Sequence, residues 1–412
     1  MSRGPRILAV LLFGFTCVAD SARAAELVLG PREELVHQAK PQRVRVLPAA
    51  ISVGRDGIPL AAWITAEGGT NNLYSARVTG ADARSVRVNP DGMVVDSLYQ
   101  PPGVAGGPAG EVYLSWSSRR YGGAYGSRLR LSRSLDGGQS FDGHLGVNDD
   151  RPVPHSFEGL AVGPEGTVFV SWIDSRENPD TATTYFARIV DRGARVASAI
   201  KLDATTCACC RVSVATGPSE TVVAAWRRVL PGDIRDIVVG VSRDQGRAFS
   251  PARLVHDDRW KITACPRRGP SVAMDGRGRV YSAWYTEGPD GQPKILLAVA
   301  PDGRRFGDPV RVNVSAGSIP DHPRLAVAPG GIAVVVWSEA TAVRHRVLMR
   351  SSTDGGRTLS PERTLSEVPK ESAADVAPDI AVTPHGGFIV AWHEERSLIV
   401  KTVVQPLRVE TR

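Results

Sequence analysis

Seven short apolar runs along the chain each end in tryptophan. They are Pro59-Leu-Ala-Ala-Trp63, Val112-Tyr-Leu-Ser-Trp116, Val168-Phe-Val-Ser-Trp172, Val222-Val-Ala-Ala-Trp226, Val280-Tyr-Ser-Ala-Trp284, Val334-Val-Val-Trp337 and Phe388-Ile-Val-Ala-Trp392. Successive tryptophans stand 53, 56, 54, 58, 53 and 55 residues apart, a spacing regular enough to mark an internal repeat. Ahead of the later runs lies a shorter apolar run, such as Leu160-Ala-Val162, Val212-Ser-Val214, Val272-Ala-Met274, Leu325-Ala-Val327 or Ile380-Ala-Val382. A glycine-bearing turn joins the two. Runs this short, rich in Val and bounded by Gly, Pro and Asp, read as buried strands, and no stretch carries a helical period. A third strand follows a variable loop, as in Asp236-Ile-Val-Val-Gly-Val-Ser242 or Arg346-Val-Leu-Met-Arg-Ser351, and a weaker fourth closes each unit. Four-stranded units repeated radially are propeller blades. The pattern predicts an all-β fold: a seven-bladed β-propeller of four-stranded antiparallel blades, with six blades as the alternative. Ring closure needs the two ends to meet. Either Arg43-Val-Arg-Val46 adds the outer strand of the last blade, or Leu407-Arg-Val-Glu410 supplies it locally; the first is preferred, because an exchanged strand ties the ring shut.

The N-terminus departs from this repeat. Arg3 and Arg6 precede a short apolar stretch from Ile7 to Ala19, and Ala22-Arg23-Ala24 follows as an A-x-A cleavage site. Residues 1–24 read as an export signal and residues 25–412 as one propeller domain, periplasmic or secreted. The apolar stretch is too short for a spanning helix, and no later run approaches the ~18 residues one needs. Without the signal the formal charge falls from +7 to +5, and the basic residues are scattered, with no run that marks a nucleic-acid patch. A monomer without nucleic acid or membrane partners is expected, taking a small acidic ligand, a glycan or a partner protein.

Three turns between third and fourth strands share a motif: Ser134-Leu-Asp-Gly-Gly-Gln-Ser-Phe141, Ser242-Arg-Asp-Gln-Gly-Arg-Ala-Phe249 and Ser352-Thr-Asp-Gly-Gly-Arg-Thr-Leu359. Ala300-Pro-Asp-Gly-Arg-Arg-Phe306 is a degenerate fourth. Asp accepts backbone N–H bonds there, Gly takes positive φ, and the terminal apolar residue plugs the core. In this S-x-D-x-G-x-x-F pattern, the Asp box, the chain resembles the sialidase-like propellers. The resemblance bears on fold more than on chemistry, since Asp boxes lie away from the active face and occur in non-enzymatic propellers.

In a propeller the loop into the innermost strand and the loop out of the second strand open on one face. Residues at those points are His155, Cys207, Cys209, Cys210, Arg211, Cys265, Arg268, His322 and Arg324 before inner strands, and Asp174, Tyr285 and Glu287 after tryptophans. All four cysteines beyond the signal fall on these loops in two adjacent blades. They suit structural disulfides in an exported protein. A soft-metal site is the next reading, copper or zinc on Cys207, Cys209, Cys210 and Cys265 with His155 or His322. A redox-active vicinal Cys209–Cys210 pair is the third. Arg211, Arg324 and Arg268 are the expected anion-binding residues, because the guanidinium fork matches a carboxylate.

Thr206-Cys-Ala-Cys-Cys-Arg211, Arg235-Asp-Ile237 and Trp260-Lys-Ile-Thr-Ala-Cys-Pro-Arg-Arg-Gly-Pro270 resemble a branch of exported bacterial sialidase-like propellers with the same C-x-C-C and W-x-I-x-x-C-P-x-x-G-P segments. The wider family's sialidases use an arginine triad, a Tyr nucleophile assisted by Glu, and an Asp acid/base. This chain departs from that set. Arg45-Val-Leu-Pro48 is one residue too long for the Arg-Ile-Pro motif, and the last tyrosine is Tyr285, well before the final blade. Tyr285 with Glu287, and Asp174 as acid/base, form a displaced version; the plain alternative makes Tyr285 a rim aromatic and pairs Asp174 with Arg176. The expected function is a non-catalytic ligand-, metal- or protein-binding module with a Cys/Arg-rich channel mouth, with a sialidase-type glycoside hydrolase as the alternative. His393-Glu-Glu395 reads as a solvated loop.

Overall fold

Each repeat begins as a hairpin. In one unit Ser271–Met274 runs into a turn whose Gly278 sits at φ +80°, and Asp275 Oδ1 accepts the backbone N–H groups of Arg277 and Arg279 at 2.9 Å each. The chain returns as Val280–Thr286, then adds Lys294–Ala300 and Val310–Arg311 in sequence order. All pairings are antiparallel, so neighbouring strands need only short loops. The computed structural model describes residues 25–30, 33–38, 45–46, 49–67, 70–79, 83–93, 95, 101–119, 126–149, 153, 155–177, 182–315, 317–370, 377–393 and 399–411. Strands are the only elements longer than a turn among them, in a β-propeller arrangement. The proposed export signal and Glu394-Glu395 lie outside the described residues.

Among the described residues the hydrogen-bonded sheets number six, rather than matching the repeat unit for unit. The reason is a single pair, Thr206 with Arg228, which welds the sheet ending in Arg195–Thr206 to the next one and makes an eight-stranded sheet. The inner strands show the radial order. Ala50–Val53, Gly103–Gly106, His155–Val162, Ser213–Thr216, Ser271–Met274, Ile319–Val327 and Asp379–Val382 each pack against the next, and the last packs against the first.

The core lies between sheets. Trp226 is buried with Phe169 and Phe186 of the preceding sheet, Trp284 with Val223 and Ile237, and Trp337 with Tyr281 and Leu297. The series closes on itself, because Trp63 of the first sheet shares a cluster with Ile389 and Ala391 of the last. Phe249, from the turn at 242–249, meets Phe186 edge-on with ring centroids 4.7 Å apart. The three S-x-D turns are alike in detail. Asp136, Asp244 and Asp354 each accept two backbone N–H bonds at 2.9–3.0 Å, while the Ser hydroxyl ahead accepts a glycine N–H at 2.7–2.8 Å.

The last sheet takes its outer strands from the N-terminus, but from different residues than expected. Ile399–Thr411 pairs with Phe388–His393 on one side and with Ala25–Leu29 and Glu33–Gln38 on the other. Arg45–Val46 instead pairs with Thr65 and Ala66 in the first sheet, and Leu407–Glu410 belongs to the long third strand. His393 also departs from the solvated-loop reading. The strand continues one residue past Trp392, leaving the imidazole buried, and that burial pushes its pKa down to about 4.

Asp203 offers a test of how sheets are joined. Its carboxylate accepts Trp226 Nε1 at 2.7 Å, Arg228 Nε at 2.6 Å and Thr205 N at 3.0 Å. Burial pushes its pKa up, but those bonds outweigh burial and hold it below the ordinary Asp value. A depressed folded-state pKa means the contribution is present above the unfolded value, roughly pH 4, and is lost as pH falls through the folded value. Asp203→Asn should cost about 1–3 kcal/mol in urea unfolding at neutral pH and flatten the acid limb of the stability curve. Equal acid sensitivity of both proteins would contradict this.

Candidate functional site

The strand Arg195–Thr206 leads directly into the cysteine turn. Cys207 N donates to Arg227 O at 2.9 Å, anchoring the turn across the end of Val222–Leu230, and Cys210 N donates back to Cys207 O at 3.3 Å. Cys265 arrives from the other side. Asp236, fully buried, accepts Arg259 N and Trp260 N at 3.0 and 3.2 Å, and Arg235 N donates to Trp260 O at 2.8 Å. These bonds press the 259–268 segment over the cysteine turn.

Cys209 and Cys265 form a disulfide, while Cys207 and Cys210 are thiols. Cys207 Sγ lies 3.1 Å from Cys210 Sγ and 3.8 Å from Cys209 Sγ. Cys207, Cys209 and Cys210 are buried, with Phe157 and Val229 against them, and Cys265 is exposed. Two cations sit at this cluster. Arg235 Nη1 donates to Cys207 Sγ at 3.4 Å and to Ala264 O at 2.9 Å. Arg227 is fully buried and donates to the carbonyls of Arg268, Arg235 and Tyr285 at 3.0, 2.6 and 2.7 Å, with its guanidinium 4.8 Å from the Trp260 ring. The Cys210 thiol hydrogen-bonds the Cys207 sulfur. That bond, aided by the Cys209 N–H and both arginines and opposed by burial, lowers the Cys207 pKa to about 6. Burial drives Cys210 the other way, well above an ordinary thiol.

The metal reading meets a shortage of ligands. Three sulfurs stand within 4.8 Å of one another, but Cys209 is spent in the disulfide, leaving two thiolates where structural zinc takes four ligands. His322 faces Asp321, with Nδ1 3.3 Å from Oδ1. His155 pairs through its backbone with Asp174, and its side chain lies outside the described groups.

Of the other expected residues, Tyr285 and Glu287 do come together, with the phenol donating to Oε1 at 2.6 Å. The pair is closed over, however. Tyr285 is 1% exposed, Trp260 meets it edge-on and the Arg268 guanidinium caps its ring at 4.1 Å. Burial and the Glu287 bond raise the phenol pKa strongly, which opposes a phenolate nucleophile. Arg268 itself is engaged by Asp321 through two bonds of 2.9 and 3.1 Å. Asp174 is buried and accepts Trp172 Nε1 at 2.9 Å and Arg176 Nη2 at 2.5 Å, so it holds a local ion pair.

Arg211 and Arg324 are different. Arg211 Nε donates to Glu158 O at 2.7 Å. Arg324 Nε is ion-paired with Asp379 Oδ1 at 3.6 Å, too long for a hydrogen bond, and is buried without a hydrogen-bond partner. Burial, then the charge of Arg324, lower the Arg211 pKa to about 10. Asp379 Oδ2 also accepts Ile51 N at 2.9 Å. Glu158 is buried and its pKa is raised by that burial, which weakens it as a counter-charge.

The backbone at this end is strained in a repeated way. Phe157, Arg267 and His322 have φ of 62°, 57° and 48°, each just before or within an inner strand. Such residues cluster where a fold must aim side chains. Gly269 permits a close approach, since a Cβ there would lie 2.0 Å from Arg211 O. Sequence reasoning missed Glu158 and Asp321. The signal for both was a carboxylate inside an inner-strand segment that is otherwise mostly apolar. A cavity of about 540 Å³ lies at the other end of the sheets, beside Arg243, Phe249 and Phe306. Register places it there, because Ser242 pairs with Val222 while Asp236 pairs with Arg228.

The Cys207–Cys210 dithiol should titrate with a first apparent pKa near 6, read as thiolate ultraviolet absorbance on the chain with its disulfide intact. Cys207→Ser should remove that acidic step. A first step at an ordinary thiol pKa would contradict the arrangement.

No known family model matches the chain, and no curated protein does. Solved structures do. An ulvan lyase bound to -[GlcA(1-4)Rha3S]- superposes with TM-score 0.58 at 11% identity, over 90% of this chain and 93% of that one. A protein of unknown function from Dyadobacter fermentans gives 0.53 at 13% identity, over 94% and 99%. The α-L-arabinofuranosidase Arb93A from Fusarium graminearum gives 0.52 at 14% identity, over 83% and 98%. At these identities the likeness is one of fold alone: the chain is a β-propeller.

Proposed function

We propose that the chain is an exported seven-bladed propeller, the eight-stranded sheet counting as two blades, that binds an acidic glycan at its channel mouth without cleaving it. The carrying observation is the pair Arg211 and Arg324: the Arg324 Nε is buried without a hydrogen bond, its Asp379 ion pair standing at 3.6 Å, and the Arg211 Nε donates to the Glu158 backbone carbonyl rather than to a carboxylate. A ligand carboxylate supplies the missing acceptor, and the guanidinium fork favours it over a neutral hydroxyl. Uronate is the first acidic sugar to try, since a structural neighbour holds a glucuronate-containing oligosaccharide.

The hydrolase reading has one observation in its favour, the 2.6 Å Tyr285–Glu287 bond. Against it stand the burial of that phenol and its cap by Arg268. Titration calorimetry with uronate oligosaccharides should give binding that Arg324→Ala weakens by about tenfold or more, as expected for loss of a charge-assisted contact. The same oligosaccharides, and sialosides, should be recovered uncleaved. Equal affinity for neutral oligosaccharides would overturn the anion reading, and turnover lost in Tyr285→Phe would establish the hydrolase instead.

A further inference from the structure

The cysteines carry an arrangement that ligand binding at the arginines does not require. Cys207 and Cys210 have C-x-x-C spacing and face each other as thiols at 3.1 Å, while Cys209, inside the same turn, is bonded to Cys265. That disulfide has one sulfur buried against the dithiol and one on an exposed residue. Cys207 Sγ stands 3.8 Å from Cys209 Sγ, in contact range for attack, and Arg235 Nη1 reaches the attacking sulfur at 3.4 Å. A cation at that position stabilises the thiolate, the form that reacts.

We propose that this cluster performs thiol–disulfide exchange, passing a disulfide between the solvent-facing Cys209–Cys265 pair and the buried Cys207–Cys210 pair. The Cys207 thiolate attacks Cys209 Sγ; the Cys207–Cys209 bond forms, the Cys209–Cys265 bond breaks, and Cys265 leaves as a thiolate. Cys210, after losing its proton to water, then attacks Cys207 Sγ and displaces the Cys209 thiolate, which takes up a proton. Two thiols and one disulfide enter, and two thiols and one disulfide leave, so no oxidant is consumed. Once freed, Cys265 meets solvent. The substrate class is therefore an external disulfide. The Cys265 thiolate attacks it and expels one thiolate, and Cys209 attacks the mixed disulfide at Cys265, restoring the original bond and releasing the second. Cys207 and Cys210 are the store that keeps Cys265 available.

The test is labelling of the native full-length chain with a charged maleimide, without reductant, followed by acid quench and mass-spectrometric mapping of the sulfur linkages. Cys265 should take the label, and labelled molecules should carry a Cys207–Cys210 bond. Cys207→Ser should slow that labelling by about tenfold or more, because the attacking thiolate is gone. Cys210→Ser should still label Cys265 but hold the first intermediate, a Cys207–Cys209 bond. If Cys207→Ser does not fold, Cys210→Ser decides alone, and a persistent Cys209–Cys265 bond in it overturns the proposal. Labelling that does not depend on Cys207 also overturns it. So does wild-type protein isolated with stoichiometric copper or zinc on the sulfurs.

Discussion

Everything in this molecule depends on tryptophans buried between sheets. A four-stranded sheet of this length cannot bury both its faces alone, and here each sheet lends its indole to the space shared with the sheet before it. Removing one such indole typically costs about 3–5 kcal/mol, a large share of the stability of an ordinary domain. Because Trp63 packs on the last sheet, no sheet is terminal and the hydrophobic series has no exposed end. Polar bonds then fix angles that packing leaves loose. Asp203 is one such bolt, reaching from one sheet to the Trp226 indole of its neighbour.

The same geometry creates the site. Inner strands approach closely enough that Gly269 leaves no room for a methyl group against Arg211. Side chains leaving the strands at that end must converge, and the sequence places arginines and sulfur there. Arg227 is central to this convergence. Its carbonyl holds Cys207, while its guanidinium ties Arg268, Arg235 and Tyr285 by their backbones, so one buried cation organises both the sulfur cluster and the closed Tyr285 pocket.

The strands were legible because a buried strand has a simple signature, and the tryptophan repeat gave it seven times. The convergence of Cys207, Cys209, Cys210 and Cys265 was legible for the same reason, since repeat position alone sets which end of a sheet a loop occupies. Partner choice was not. Whether Cys209 bonds Cys265 or Cys210 depends on how the 259–268 segment is pressed down by Asp236, a contact between residues more than twenty positions apart. Arg268 illustrates the same limit. Its position suggested a free anion-binding fork, but Asp321 on the next inner strand takes both its bonds. The outer strands from 25 to 38 escaped notice because they lack the repeat's apolar pattern, their pairing being a matter of backbone.

That last pairing has a consequence for the life of the chain. Ala25 faces Thr411 and Glu33 faces Val404, so strands far apart along the chain bond to each other. Sheets in the middle can form from neighbouring sequence as it emerges, but this seam closes only across a loop of several hundred residues, which is entropically slow. Until that seam closes the molecule is an open arc, and its 25–38 strands present edges without a partner.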